Sequence, residues 1–230
     1  MSKFLFSCAF WGALLFPLSA NADNLVQFPT GPAAWTVTIG PSQSPATGTP
    51  VKAPPPGFPG DETKVEVTQD AKKRLSVITW STHTTTSRWE IPSANLFLYE
   101  DSLGQAGAVF STAAITKNLA VPFTASCFSW LAPQNLVGSD PVNYQGKQCF
   151  HYKATVPAIT FGPFLGKSTT SAEAYIESTT LLPVALDDGR KQATYTFSPT
   201  PPAPFPLPDK FKSAVSRFEQ AIGVMTPTNY

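Results

Sequence analysis

The chain has 230 residues, with 16 Lys and Arg facing 15 Asp and Glu and charged residues at 13%, about half the usual ~25%. Its 24 Pro and 14 Gly stay below the roughly 25–30% of low-complexity chains, so it is expected to fold. With no basic field, nucleic acid and other polyanions are excluded as partners, and the length suits one domain that buries roughly 70% of its unfolded surface.

Residues 1 to 22, MSKFLFSCAFWGALLFPLSANA, carry one early cation at Lys3, an uncharged apolar stretch from Phe4 to Leu18, and small residues at Ala20 and Ala22. That is the layout of a secretory signal cleaved before Asp23. The apolar run of about 15 residues is shorter than the ~20 a spanning helix needs, so no transmembrane anchor is expected. Cys8 is followed by more apolar sequence, so no lipid anchor is expected either. The location implied is extracytoplasmic, periplasmic or secreted, after cleavage near Ala22. Cleavage removes Lys3 and no acid, leaving 15 cations and 15 anions. In so neutral a chain, recognition must rest on shape and apolar contact.

Residues 23–230 read as a single β-rich domain. After a polar, Pro-containing lead, Trp35-Thr36-Val37-Thr38-Ile39 alternates apolar and polar with β-branched residues, as a half-buried strand does. Pro41 to Gly60 holds prolines at 41, 45, 50, 54, 55, 56 and 59 and is expected to be an exposed loop, because proline lacks the N–H a sheet interior requires. It can serve either as a ligand for a proline-recognising groove or as a loop stiffened against proteolysis.

Four strand-like runs follow, Lys64–Gln69, Arg74–Ser81, Ser87–Ile91 and Asn95–Tyr99, separated by short polar turns that predict an antiparallel meander. Both parities of Leu75–Trp80 and of Leu96–Tyr99 are apolar, so both faces need cover. Two helices are predicted to supply it. One spans Val121 to Leu131, with Phe123, Cys127, Trp130 and Leu131 at helical intervals; the other runs from about Asp209 to Ile222, with Phe211, Val215, Phe218 and Ile222 on one stripe and Gly223 to end it. Between them, Lys147–Ala154, Ala172–Ser178, Val184–Asp187 and Gln192–Phe197 read as strands, the last two joined by a hairpin turn at Asp187-Asp188-Gly189-Arg190. About nine strands and two helices predict an α+β, predominantly antiparallel β fold.

With Cys8 removed, Cys127 and Cys149 remain, and in an oxidising compartment an even pair is most simply a disulfide, worth about 3 kcal/mol in the chain-entropy model. The alternative is a catalytic thiol: Cys149 and His151 lie two apart, so on a strand both point to one face. That nucleophile would have to stay reduced after export.

Other catalytic signals are sparse. His83 lies in a Ser/Thr-rich turn, and no G-x-S-x-G elbow, zinc or calcium spacing, or nucleotide-binding glycine motif occurs. The acid pairs Asp61/Glu62, Glu100/Asp101 and Asp187/Asp188 fall at strand ends and turns, where acids are ordinarily solvated. A non-enzymatic protein without cofactor or metal is expected.

Ala174-Tyr175-Ile176-Glu177-Ser178-Thr179-Thr180-Leu181-Leu182-Pro183-Val184-Ala185-Leu186-Asp187-Asp188-Gly189, followed by Tyr195-Thr196-Phe197 and Leu207-Pro208, resembles the last hairpin of the periplasmic lipoprotein-carrier (Lol-type) superfamily. The upstream meander and Phe128-Ser129-Trp130-Leu131 are compatible with the same layout. The resemblance implies a strongly curved sheet or incomplete barrel, its concave apolar side closed by helices and able to shelter an acyl chain. Carriers of this type usually begin with a helix, whereas this chain begins with a Pro-rich stretch and a strand, and the cysteine pair is not theirs.

The resulting expectation is an exported binding protein that holds an apolar, lipid-like ligand against Trp80, Trp89, Phe97, Trp130 and Phe218. The alternative is a cell-envelope interaction module with a packed core, docking an envelope protein through the Pro41–Gly60 arm.

Overall fold

The computed structural model describes residues 25–43, 61–110, 125–157 and 169–225. The expected signal segment, residues 44–60 of the proline-rich arm, and Val121–Thr124 of the first predicted helix lie outside the described residues. Among the described residues eleven strands form one antiparallel sheet: β1 Ala33–Pro41, β2 Glu62–Gln69, β3 Arg74–Trp80, β4 Thr85–Ile91, β5 Leu96–Asp101, β6 Ala106–Phe110, β7 Val142–Tyr144, β8 Lys147–Pro157, β9 Thr169–Glu177, β10 Pro183–Asp187 and β11 Lys191–Phe197. Across the sheet they run β6-β5-β4-β3-β2-β1-β11-β10-β9-β8-β7. The sheet is therefore two meanders joined where β1 pairs with β11, in a register that sets Trp35 opposite Phe197 and Pro41 opposite Lys191. It is not closed, and its β7 end curls: the Tyr144 ring of β7 stacks on Tyr175 of β9 at 3.7 Å with β8 lying between them. The expected α+β, predominantly antiparallel incomplete barrel is what forms.

Every strand expected from alternation is present, and two more appear. The short edge strand β7 is one. The other is β6, Ala106-Gly107-Ala108-Val109-Phe110, which escapes a propensity reading because glycine and alanine are poor strand formers. Its glycine leaves room for a neighbour on β5: a Cβ on Gly107 would lie 2.4 Å from the Tyr99 hydroxyl oxygen, so a side chain there would push the Tyr99 ring aside. The Asp188-Gly189 turn forms as expected. Gly189 takes φ +79°, and the Asp187 and Asp188 carboxylates accept the N–H groups of Gly189, Arg190 and Lys191 at 2.7, 2.9 and 2.8 Å.

Period-two alternation sorts the sheet's side chains onto two faces. The first face carries Trp35, Val37 and Ile39 of β1, Val65 and Val67 of β2, Ile78 and Trp80 of β3, Tyr152 of β8, Ile176 of β9 and Tyr195 of β11, in one apolar cluster with Val26, Phe128 and Leu131. Irregular chain covers it: a strap of residues 25–31, and the segment from Ala125 to Leu136. The second face carries Trp89, Ile91, Leu96 and Leu98 and is covered by helix α1, Asp209–Met225, through Phe211, Val215 and Phe218. The Phe211 and Trp89 rings lie 5.3 Å apart.

Two expectations about the covers are corrected. α1 continues through Gly223 to Met225 instead of ending near Ile222; glycine only weakens a helix interior, and a stop needs a left-handed residue there. The predicted helix over 121–131 is, among the described residues, a single 3-10 turn, Ala125–Phe128. A 3-10 turn eclipses positions three apart, so Phe128 and Leu131 still reach the sheet together, while Pro133 starts another short turn two residues later.

Candidate functional site

Chemistry-bearing groups gather in two places. The first lies under the strap. Phe28 is half-buried and its ring packs against Trp35, Phe128, Tyr195 and Phe197 at 6.1, 5.9, 6.1 and 6.4 Å, within the range for edge-to-face and tilted aromatic pairs. Beside it an open cleft of about 530 Å³ is lined by Val26, Gln27, Phe28, Pro29, Thr30, Ala125, Thr180 and Leu182. The strap is pinned at both ends. Gln27 donates its backbone N–H to the Leu181 carbonyl at 2.8 Å, and the buried Gln69 amide donates to the carbonyls of Pro29 and Gly31 at 2.6 and 2.9 Å. Leu181 meets Gln27 from a left-handed conformation, φ +57°. That conformation costs a branched side chain about 1–2 kcal/mol, which the surrounding contacts must offset.

The second place is the β7–β11 half of the second face. Tyr144, Tyr175 and His151 form a pile of rings, with Tyr175 and His151 stacked at 4.5 Å and 1° between planes. His151 Nε2 lies 3.2 Å from Glu173 Oε2, and Lys153 Nζ donates to Glu173 Oε1 at 2.6 Å. Burial pushes the Glu173 carboxyl up, but the hydrogen bonds and charges of Lys153 and His151 outweigh it and hold the group below its ordinary value. Burial pushes the phenols of Tyr144 and Tyr175 up. Among the described residues no group of three or more His, Cys, Asp or Glu is placed to hold a metal ion.

The expected disulfide between Cys127 and Cys149 is overturned: the two are not joined. Cys127 packs on the first-face cluster. Phe150 and Tyr152 belong to that same cluster, so alternation turns Cys149 to the other face, and the sheet lies between the sulfurs. Cys149 and His151 do share a face, as the spacing predicts, but the arrangement does not activate a nucleophile. Cys149 is fully buried, and its thiol is pushed up first by burial and then by the charge of Glu177, against a smaller opposing effect of Lys147. His151 meanwhile faces Glu173 and Tyr175. His83 is exposed at φ +63° in the turn after β3.

The five residues expected to touch ligand are divided by the sheet. Trp80 and Trp130 belong to the first-face cluster, and Phe97 points to the same face because its neighbours Leu96 and Leu98 point to the other. Trp89 of β4 and Phe218 of α1 belong to the second-face cluster. None of the five lines the cleft. Its strap residues escape a sequence reading because Leu25 to Gly31 has the composition of a lead-in; the only signal is the apolar pair Val26 and Phe28, spaced by two ahead of Pro29. Thr180 and Leu182 stand within the hairpin that carries the family resemblance.

No protein-family model matches the chain, and no curated protein matches it. Among solved structures it is similar to the crystal structure of the Mycobacterium tuberculosis lipoprotein LppX, at 15% identity and a TM-score of 0.42, over 73% of this chain and 86% of that one. A likeness at that level carries no argument about function. Among the described residues no helix is long and apolar enough to cross a membrane.

Proposed function

We propose that the protein is an exported, non-enzymatic binding protein that holds an apolar, lipid-like ligand in the cleft beneath the strap. The observation that carries this reading is the cleft itself: about 530 Å³ of open volume beside Phe28, a half-buried ring set into four other aromatic rings. Sites for small organic ligands occupy roughly 300–1,000 Å³ and are walled by apolar and aromatic groups with a few polar ones. Trp80 and Trp130 belong to the same first-face apolar cluster on which Phe28 packs. The interior behind it is filled, since Val65, Ile78, Phe128, Ala174 and Ile176 are all 0% exposed, so the ligand lies against the sheet's cover, outside its core. The leader-like residues 1–22 and the hairpin's likeness to Lol-type carriers point the same way. Native mass spectrometry of protein purified without detergent, with titration of fluorescent acyl probes, tests the reading. A retained apolar mass or micromolar uptake that Leu182→Arg lowers at least tenfold is expected. A clean apo mass with no uptake of any probe would overturn it.

The same filled interior favours a second reading, an envelope interaction module that docks a protein through the Pro41–Gly60 arm. Deleting residues 44–60 separates the two: loss of a co-purifying partner with ligand uptake intact supports the module.

A further inference from the structure

We infer that the cleft selects ligands whose polar end is uncharged, such as an acyl ester, an acylglycerol or a long-chain alcohol, over ionised fatty acids. The inference rests on the binding function proposed above and concerns which molecules the same cleft accepts. Of the described residues that line it, none is charged; the polar ones are Gln27, Thr30 and Thr180. Gln27 and Thr30 are exposed on the strap, and an amide and a hydroxyl each donate and accept, which suits ester and hydroxyl oxygens.

Thr180 adds a bias of sign. Its hydroxyl donates to Glu177 Oε2 at 2.7 Å and accepts the Leu182 N–H at 3.3 Å, so its one proton is already committed to a carboxylate. Lys147 Nζ, at the start of β8, also donates to Glu177 Oε2, at 3.2 Å, so that cation is paired with the carboxylate and stands outside the cleft lining. The hydrogen bond from Thr180, joined by the Lys147 pair and outweighing the opposing effect of burial, holds the Glu177 carboxyl below its ordinary value and keeps it ionised at neutral pH. A second carboxylate entering beside Thr180 would give up its water, gain no cation from the described lining residues, and come close to that negative charge. An ester or alcohol oxygen loses far less on leaving water and can be satisfied by the amide and hydroxyl groups of the rim.

The test uses the full chain and a matched pair of fluorescent probes, a long-chain fatty acid and the alcohol of the same length, titrated at pH 8. Binding of the alcohol at least tenfold tighter than the acid is expected, with little dependence on salt. Thr180→Lys, which places a cation on an exposed turn, should narrow that ratio to threefold or less, and Glu177→Gln should narrow it in the same direction. Equal affinity of the unmodified protein for acid and alcohol would overturn the inference while leaving the binding function standing. So would a Thr180→Lys protein that folds and keeps the full ratio. Binding of neither probe would remove the cleft as a ligand site, and with it both the proposed binding function and this selectivity.

Discussion

Gln192 on β11 donates its side-chain amide to the phenolic oxygen of Tyr144 on β7, at 2.7 Å, although β8, β9 and β10 lie between those strands. In a flat sheet four strand steps of roughly 4.8 Å each would hold the two backbones nearly 20 Å apart, beyond the combined reach of a tyrosine and a glutamine. The hydrogen bond therefore measures the curl of this end of the sheet, which folds β7 over the second face. The curl also explains why Cys149, directly paired with Val142 of β7, is fully buried.

Tyr144→Phe removes the acceptor while keeping the ring stacked on Tyr175. Gln192 is 9% exposed, so its amide is left without that partner, and a loss of about 1–2 kcal/mol is expected in urea unfolding. Tyr144→Ala, which also removes the stack, should cost more than Tyr144→Phe; equal losses would show that the ring contributes nothing to closing this end.

The Glu173 carboxyl is held below its ordinary value in the folded chain, whereas in the unfolded chain it titrates near about 4.3. Its contribution is thus complete above the unfolded value and is lost as pH falls through the folded one. Glu173→Gln should remove part of the acid-limb slope of stability, about 1 kcal/mol between neutral pH and pH 3. Lys153→Met should raise the folded value and start the loss at higher pH. Acid unfolding followed by circular dichroism reads both, and an unchanged acid limb in Glu173→Gln would contradict the pairing.

Because the sheet separates Cys127 from Cys149, the purified chain should show no mass change on reduction and no shift in its melting temperature with reductant. Buried Cys149 should react with a thiol reagent only as the chain unfolds. A cross-linked tryptic peptide joining the two would show that one of them has changed face.

Gln69 is the strap's latch, giving both amide hydrogens to the carbonyls of Pro29 and Gly31 while its own oxygen accepts from Arg74 Nε at 3.3 Å. Gln69→Leu deletes all three bonds. A loss of about 2 kcal/mol is expected, or a melting temperature lower by roughly 4–8 °C for a domain of this size, together with faster amide exchange and proteolysis confined to residues 25–31. A uniform rise in exchange across the sheet would mean that Gln69 supports the fold as a whole.

Much of the architecture was legible in residue order. β-Branched alternation marked β1 to β4 and β8 to β11, Asp188-Gly189 marked the hairpin between β10 and β11, and Phe211, Val215 and Phe218 marked the buried stripe of α1, because each signal is local and its period is set by backbone geometry. Apolar residues at both parities of β3 and β5 correctly required two covered faces.

What the order of residues left open depended on partners far along the chain. Pairing β1 with β11 sets Trp35 beside Phe197, and only that ladder, with the strap laid over it, builds the aromatic wall and the cleft next to Phe28. Composition likewise counted three cysteines but not the sheet that lies between Cys127 and Cys149, and it grouped five aromatic residues that the sheet divides between opposite faces. Strand alternation assigns a side chain to one of two faces, but which distant strand becomes its neighbour, and what covers it there, is settled by long-range pairing and burial acting on the whole chain at once.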